Sequence, residues 1–205
     1  MAFLGIRIPL ECGRLLSGID VPGEKEGPSE YHITLLCFEE NWPIAEISKA
    51  LEATYDVIHK IKPFTIKTKK VSCFPKREDK PVPIIAKIES DDLHDVRKKL
   101  AKEFDKCKIE YSKTFKDFNP HITLAYADKE IKDIKIDTVE FVVQEIVLWG
   151  GDHGDDRIFI TFPLKGPDKQ KHSLLLQKAD MFEKLANNPP QDYLTQSYER
   201  RKFNR

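Results

Sequence analysis

The chain has 205 residues, 40% hydrophobic and 33% charged, which is enough apolar material for one core or for one domain of two similar halves, and excludes a wholly disordered chain. Its 34 basic residues balance 34 acidic ones. That excludes a protein that coats nucleic acid through bulk charge, while leaving room for a local basic cleft. Cys12, Cys37, Cys73 and Cys107 form no CxxC pair, so a zinc finger is excluded and a redox pair disfavoured. They read as buried free thiols of a reducing, cytoplasmic compartment. No run approaches the ~20 apolar residues of a membrane span. The opening MAFLGIRIPL, broken by Arg7 and Pro9, reads as a strand and not as a signal peptide.

In chain order, residues 2–8 read as a strand and 9–19 as a short helix, followed by the Gly/Pro-rich loop 20–30. YHITLLCF (31–38) is a strand. Asn41 and Trp42-Pro43 open a helix whose apolar face is Ile44, Ile47, Leu51, Tyr55 and Ile58. FTIKTKKVSCF (64–74) and VPIIAKIE (82–89) form a strand pair around the loop PKREDKPVP. Ser90-Asp91-Asp92 caps a helix with Leu93, Val96, Leu100 and Phe104 inward. FNPHITLAYA (118–127), TVEFVVQEIVLWG (138–150) and DRIFITFPL (156–164) are three more strands, the last two joined by GGDHGD. Residues 166–205 change character: an amphipathic helix is expected over 174–186, then a polar, partly disordered tail with a basic end, Arg200, Arg201, Lys202 and Arg205. The order predicts an α+β class with mainly antiparallel sheet.

YHITLLCF and PHITLAYA recur 89 residues apart, each followed by two strands, as a duplicated half-domain would be. On a strand, His32 and Thr34 share one face and Ile33 and Leu35 the other; the same holds for His121 and Thr123 against Ile122 and Leu124. A single His-aliphatic-Thr is expected by chance in ~5–10% of chains this long and two in well under ~1%, so the pair, unlike either copy alone, points to a shared site. Two imidazoles supply a base and an acid near neutral pH, and two hydroxyls can donate to non-bridging phosphate oxygens. In-line phosphodiester cleavage needs those groups and no metal or other cofactor; no HExxH or paired Cys/His spacing accompanies the histidines.

Over about residues 1–165 the chain resembles the two-histidine (2H) phosphoesterase superfamily, which includes the bacterial and archaeal RNA 2′,3′-cyclic phosphodiesterases also called 2′-5′ RNA ligases. The resemblance rests on YHITLLCF, on NPHITLAY with its proline before the histidine, on FTIKTKKVSCFP, and on FVVQEIVLWG…RIFITFPL as a closing hairpin. It implies a bilobal fold, flanking helices around a central groove, with His32 and His121 catalytic and Thr34 and Thr123 binding the phosphate. It implies hydrolysis of a 2′,3′-cyclic phosphate or a 2′-5′ linkage in RNA or a small nucleotide.

Where many members carry Arg after the second motif, this chain has Tyr126. A fixed positive charge near the groove is thereby lost, and Tyr126 could stack on a base or donate to phosphate. This keeps open a viral-type enzyme that destroys signalling oligonucleotides, whether 2′-5′ oligoadenylates or cyclic oligonucleotides. A non-catalytic nucleotide- or RNA-binding module is the alternative outside enzymes. Phe74 is a candidate for base stacking and Arg7 for phosphate, each against ordinary packing or exposure. His153, with Asp152, Asp155 and Asp156, reads as a hairpin turn that does not fit an EF-hand. His59, His94 and His172 are expected to face solvent on helices; Lys67, Lys69, Lys70, Lys76 and Arg77 could guide an RNA strand, against the ordinary reading of a solvated side of a sheet. The expected partners are an RNA cyclic-phosphate end or a small nucleotide, no membrane, and a weak contact through the C-terminal tail; a monomer is expected.

Overall fold

A computed structural model describes residues 2–38, 44–77, 80–113, 117–150 and 158–164. The expected extension 166–205, the turn around His153 and the helix start at Asn41–Pro43 lie outside those residues. The elements are β1 (Phe3–Arg7), α1 (Leu10–Ser17), β2 (Glu24–Lys25), β3 (His32–Cys37), α2 (Ile44–Ile58), β4 (Phe64–Cys73), β5 (Val82–Glu89), α3 (Asp91–Lys106), β6 (His121–Ala127), β7 (Ile134–Val143), β8 (Glu145–Gly150) and β9 (Ile158–Pro163). They form two antiparallel sheets: sheet one in the order β3-β1-β8-β9, sheet two in the order β2-β6-β5-β4-β7. The α+β, antiparallel, two-lobed expectation holds.

Two elements differ from the sequence reading. Loop 20–30 contains the short strand β2, which pairs with β6 through Glu24↔Tyr126 and Lys25↔Ala125. Gly23 permits this: its φ is 96°, and a Cβ there would meet Tyr126 O at 2.2 Å. Residues 138–150, read as one strand, are two strands in different sheets, β7 in sheet two and β8 in sheet one. The break is Gln144, whose carbonyl accepts from Leu164 N at 2.8 Å where the chain changes sheets.

Helices cover one side of each sheet, and two of them cross over. α1 leaves sheet one and packs on β7 of sheet two; α3 leaves sheet two and packs on β3 of sheet one. One continuous core results, running from Leu4 and Ile33 through Leu93, Leu100 and Phe104 to Ile66 and Phe141. Each fully buried aliphatic chain in it contributes about 1.5–3 kcal/mol. α3 matches its sequence signature: Ser90 Oγ accepts from Leu93 N at 3.3 Å, and Leu93, Val96, Leu100 and Phe104 are all buried. In α2 the buried line runs through Ala50, Ala53, Thr54 and Ile58, with Leu51 and Tyr55 half-buried beside it.

Cysteine burial is uneven. Cys12 is buried, Cys37 and Cys73 are half-buried, and Cys107, expected inside, is exposed where α3 ends. His59 also departs from expectation. It is half-buried, its Nδ1 2.7 Å from Tyr55 O and its ring stacked on Tyr55, because it closes the end of α2. Among the described residues no helix is long and apolar enough to cross a membrane.

Candidate active site

The two His-x-Thr strands carry the same irregularity. In sheet one, Leu4 is opposite Leu36 and Gly5 opposite Thr34, so Leu35 has no counterpart on β1. In sheet two, Ile84 is opposite Ala125 and Ile85 opposite Thr123, so Leu124 has none on β5. Each leucine after the threonine is thus the extra residue of a β-bulge, which re-aims the side chains beyond it. Directly opposed residues share a face. One row set is therefore His32, Thr34 and Cys37 facing Arg7, Gly5 and Phe3; the other is His121, Thr123 and Tyr126 facing Lys87, Ile85 and Pro83. Strict alternation would have put Tyr126 with Ile122 on the core side; the bulge leaves it 40% exposed beside the histidine's row.

The bulges are held from outside. Arg97 Nε on α3 donates to Leu35 O at 3.2 Å, and its guanidinium lies 5.0 Å from the centre of the Phe118 ring, just ahead of the second motif. The equivalent Leu124 O accepts from Glu26 N at 2.9 Å. His94, expected to face only solvent, is exposed but packs edge-on against Phe118 at 5.1 Å.

Both imidazoles are anchored alike. His32 Nδ1 lies 2.7 Å from Glu30 O, and His121 Nδ1 lies 2.7 Å from Asn119 O, each the carbonyl two residues back. A carbonyl oxygen only accepts, so each Nδ1 carries the hydrogen and each Nε2 is left to exchange a proton. β3 and β6 approach within 8 Å, Cα to Cα, although they belong to different sheets. Burial first, and the charge of His32 after it, push the His121 pKa below the ordinary histidine value, with the bond to Asn119 O opposing.

Their surroundings differ. The His32 ring stacks on Phe3 at 4.7 Å and leans on Trp149 at 5.3 Å, and those two rings stack on each other at 5.2 Å. The His121 ring meets the edge of Phe74 at 4.7 Å, 89° between planes. The sequence candidates His32, Thr34, His121, Thr123, Phe74, Arg7 and Tyr126 thus fall on or beside the two motif strand pairs. Burial, and secondarily the Glu26 carboxylate, raise the Tyr126 pKa, which keeps its phenol a donor. Arg7 stands opposite His32, and Lys87 stands opposite His121. Sequence reasoning missed Lys87, Phe3, Trp149 and Arg97. Lys87 had a signal: Arg7 is a candidate from its place on the strand before the first motif, and under the duplication the strand before the second motif carries Lys87. Among the described residues no group of three or more His, Cys, Asp or Glu could hold a metal ion.

The solved structures similar to this one include TT0787 of Thermus thermophilus, at 20% identity and a TM-score of 0.67, covering 82% of this chain and 99% of that one. E. coli LigT complexed with 3′-AMP is similar at 15% identity and a TM-score of 0.63, covering 80% and 98%. A structure described as a phosphoesterase is similar at 14% identity and a TM-score of 0.62, covering 80% and 98%. At these identities the likeness establishes the fold. No curated protein matches the sequence. The profile of the 2′-5′ RNA ligase superfamily matches residues 27–155, a span that takes in both His-x-Thr strands, and the chain belongs to that superfamily.

Proposed function

We propose that the protein is a phosphodiesterase that hydrolyses a 2′,3′-cyclic phosphate or a 2′-5′ phosphodiester in RNA or a nucleotide, by two-histidine acid–base catalysis without a metal. The observation that carries this reading is the matched anchoring of His32 and His121 on strands of different sheets that approach each other, each with Nδ1 bound to a carbonyl and Nε2 available. His121, with its lowered pKa, is neutral at pH 7 and takes the proton of water as its oxygen attacks phosphorus. The bond from phosphorus to the ribose oxygen breaks in line, and His32 gives that oxygen its proton. The product is a phosphomonoester. Thr34 and Thr123 donate to the non-bridging oxygens, where charge builds in the transition state.

The test is incubation with a 2′,3′-cyclic nucleotide, a 2′-5′ dinucleotide, and cyclic di- and trinucleotides in EDTA, with chromatography of the products. Turnover of a member of this panel that persists in EDTA and disappears in both His32→Ala and His121→Ala supports the reading; loss of turnover on chelation overturns it. The exposed Tyr126, in the row of His121, favours a second reading with the same chemistry on signalling oligonucleotides, which the same panel separates.

A further inference from the structure

Sheet two carries a cationic strip that the chemistry above does not use. Lys87 is opposite His121 across β5 and β6, and Lys70 is opposite Lys135 across β4 and β7. Ser72 identifies the face. It is opposite Ile85, which is opposite Thr123, and its Oγ donates to Asp133 Oδ1 at 2.6 Å. The other oxygen of Asp133 is ion-paired with Lys70. Lys70 therefore lies on the face of His121 and Thr123. The Asp133 carboxyl is held below its ordinary range by the bonds from Lys70 and Ser72, and by the charges of Lys70 and Lys87.

Lys70 and Lys87 thus act on one carboxylate, and Lys135 stands opposite Lys70. The strip is bounded, because the next row along the strands sets Glu89 opposite Lys67, and Lys67 pairs with Glu140 at 2.9 Å. Among the described residues, the paired positions of sheet one set no lysine opposite another.

We infer that this strip binds a further phosphate of a nucleotide chain whose scissile phosphate lies between the two histidines, so that the substrate is an oligonucleotide and not a mononucleotide. The inference rests on the phosphodiesterase reading above. Strands are spaced about 4.8 Å apart, which sets Lys87 and Lys70 about one and two spacings from the row position of His121, a separation that one nucleotide linkage can bridge. A positively charged track is how proteins follow a single-stranded backbone without reading its sequence.

The experiment measures kcat/KM for a 2′,3′-cyclic mononucleotide and for a short oligonucleotide with the same cyclic end, across a range of salt, in the parent, Lys70→Ala and Lys135→Ala proteins. Lys135→Ala leaves the Lys70–Asp133 pair in place. The parent should prefer the oligonucleotide, and each variant should lower the oligonucleotide-to-mononucleotide ratio about three- to tenfold, through KM. The salt slope of oligonucleotide binding should fall by about 0.7 per phosphate contact removed, and Lys70→Arg should restore the ratio. Equal use of both substrates by the parent, or equal losses on both in the variants, overturns the inference. Absence of turnover on both substrates counts instead against the reading of the histidine pair. Competition binding of the oligonucleotide and AMP then tests the strip directly: an oligonucleotide that binds no tighter than AMP overturns it.

Discussion

The two motif strand pairs, β1–β3 and β5–β6, are built to one plan and finished differently. Both bulge at the leucine after the threonine, both tie the histidine Nδ1 to a carbonyl two residues back, and both set a cationic residue opposite that histidine. Around His32 the finish is aromatic, from Phe3 and Trp149; around His121 it is the edge of Phe74 and a lysine row. Repetition of the backbone device leaves Nε2 of each imidazole available. Divergence of the surroundings is what would separate their roles in the proposed reaction, because environment decides which imidazole is neutral at a given pH.

The largest expected effect tests whether the two pairs act as one site. His32→Ala and His121→Ala should each lower kcat about 10²- to 10⁴-fold, and the double variant should lose little more than either single one. Multiplying losses, in initial-rate measurements on a 2′,3′-cyclic nucleotide, would separate the strand pairs into independent sites.

A second comparison uses the residue opposite each threonine. Ile85 is 2% exposed, and Ile85→Ala should cost about 2–5 kcal/mol by leaving a void. At Gly5 the opposite change fails. A Cβ there would stand 2.6 Å from the Ile33 backbone oxygen, so Gly5→Ala must displace β3 and should cost about 1–3 kcal/mol. Urea denaturation reads both, and a stability-neutral Gly5→Ala would show that β3 is not held tightly against β1.

The pH profile sharpens the contrast between the rings. Phe74→Ala admits water to His121 and should move the acid limb of kcat/KM upward, toward the ordinary histidine range; Phe3→Ala should leave that limb in place. The smallest effect is on stability. His121 has a folded pKa below its ordinary value of 6.5, so the unfolded chain takes up the proton first as pH falls. Stability should therefore drop as pH passes down from about 6.5 to the lowered folded pKa, and His121→Gln should remove that part of the slope. Thermal unfolding across this window, with an unchanged slope in His121→Gln, would contradict the burial of that ring.

Much of this was legible locally. Ser90 and the spacing of Leu93, Val96, Leu100 and Phe104 announce α3, and the His-Ile-Thr-Leu repeat puts the histidine and threonine of each motif on one face. The break at Gln144 was not legible, because FVVQEIVLWG keeps an apolar strand pattern with no Gly or Pro until its end; only the choice of pairing partner divides it. The bulges were hidden for a related reason. Leu35 and Leu124 suit an unbroken strand as well as a bulged one, and the mismatch exists only against β1 and β5. The crossed packing of α1 and α3 was equally silent, since an amphipathic helix specifies that it must bury a face and not which sheet receives it.

By itself, the sequence determined which chemical groups are carried and how they alternate, since side-chain direction along a strand is a property of neighbouring residues. The tertiary structure decided that the strands of His32 and His121 approach each other, which nitrogen each presents, and that Lys87 and Lys70 share the face of His121. Those outcomes depend on strand pairing and sheet-on-sheet packing between segments far apart in the chain, where burial of a common core, and not local periodicity, selects the arrangement.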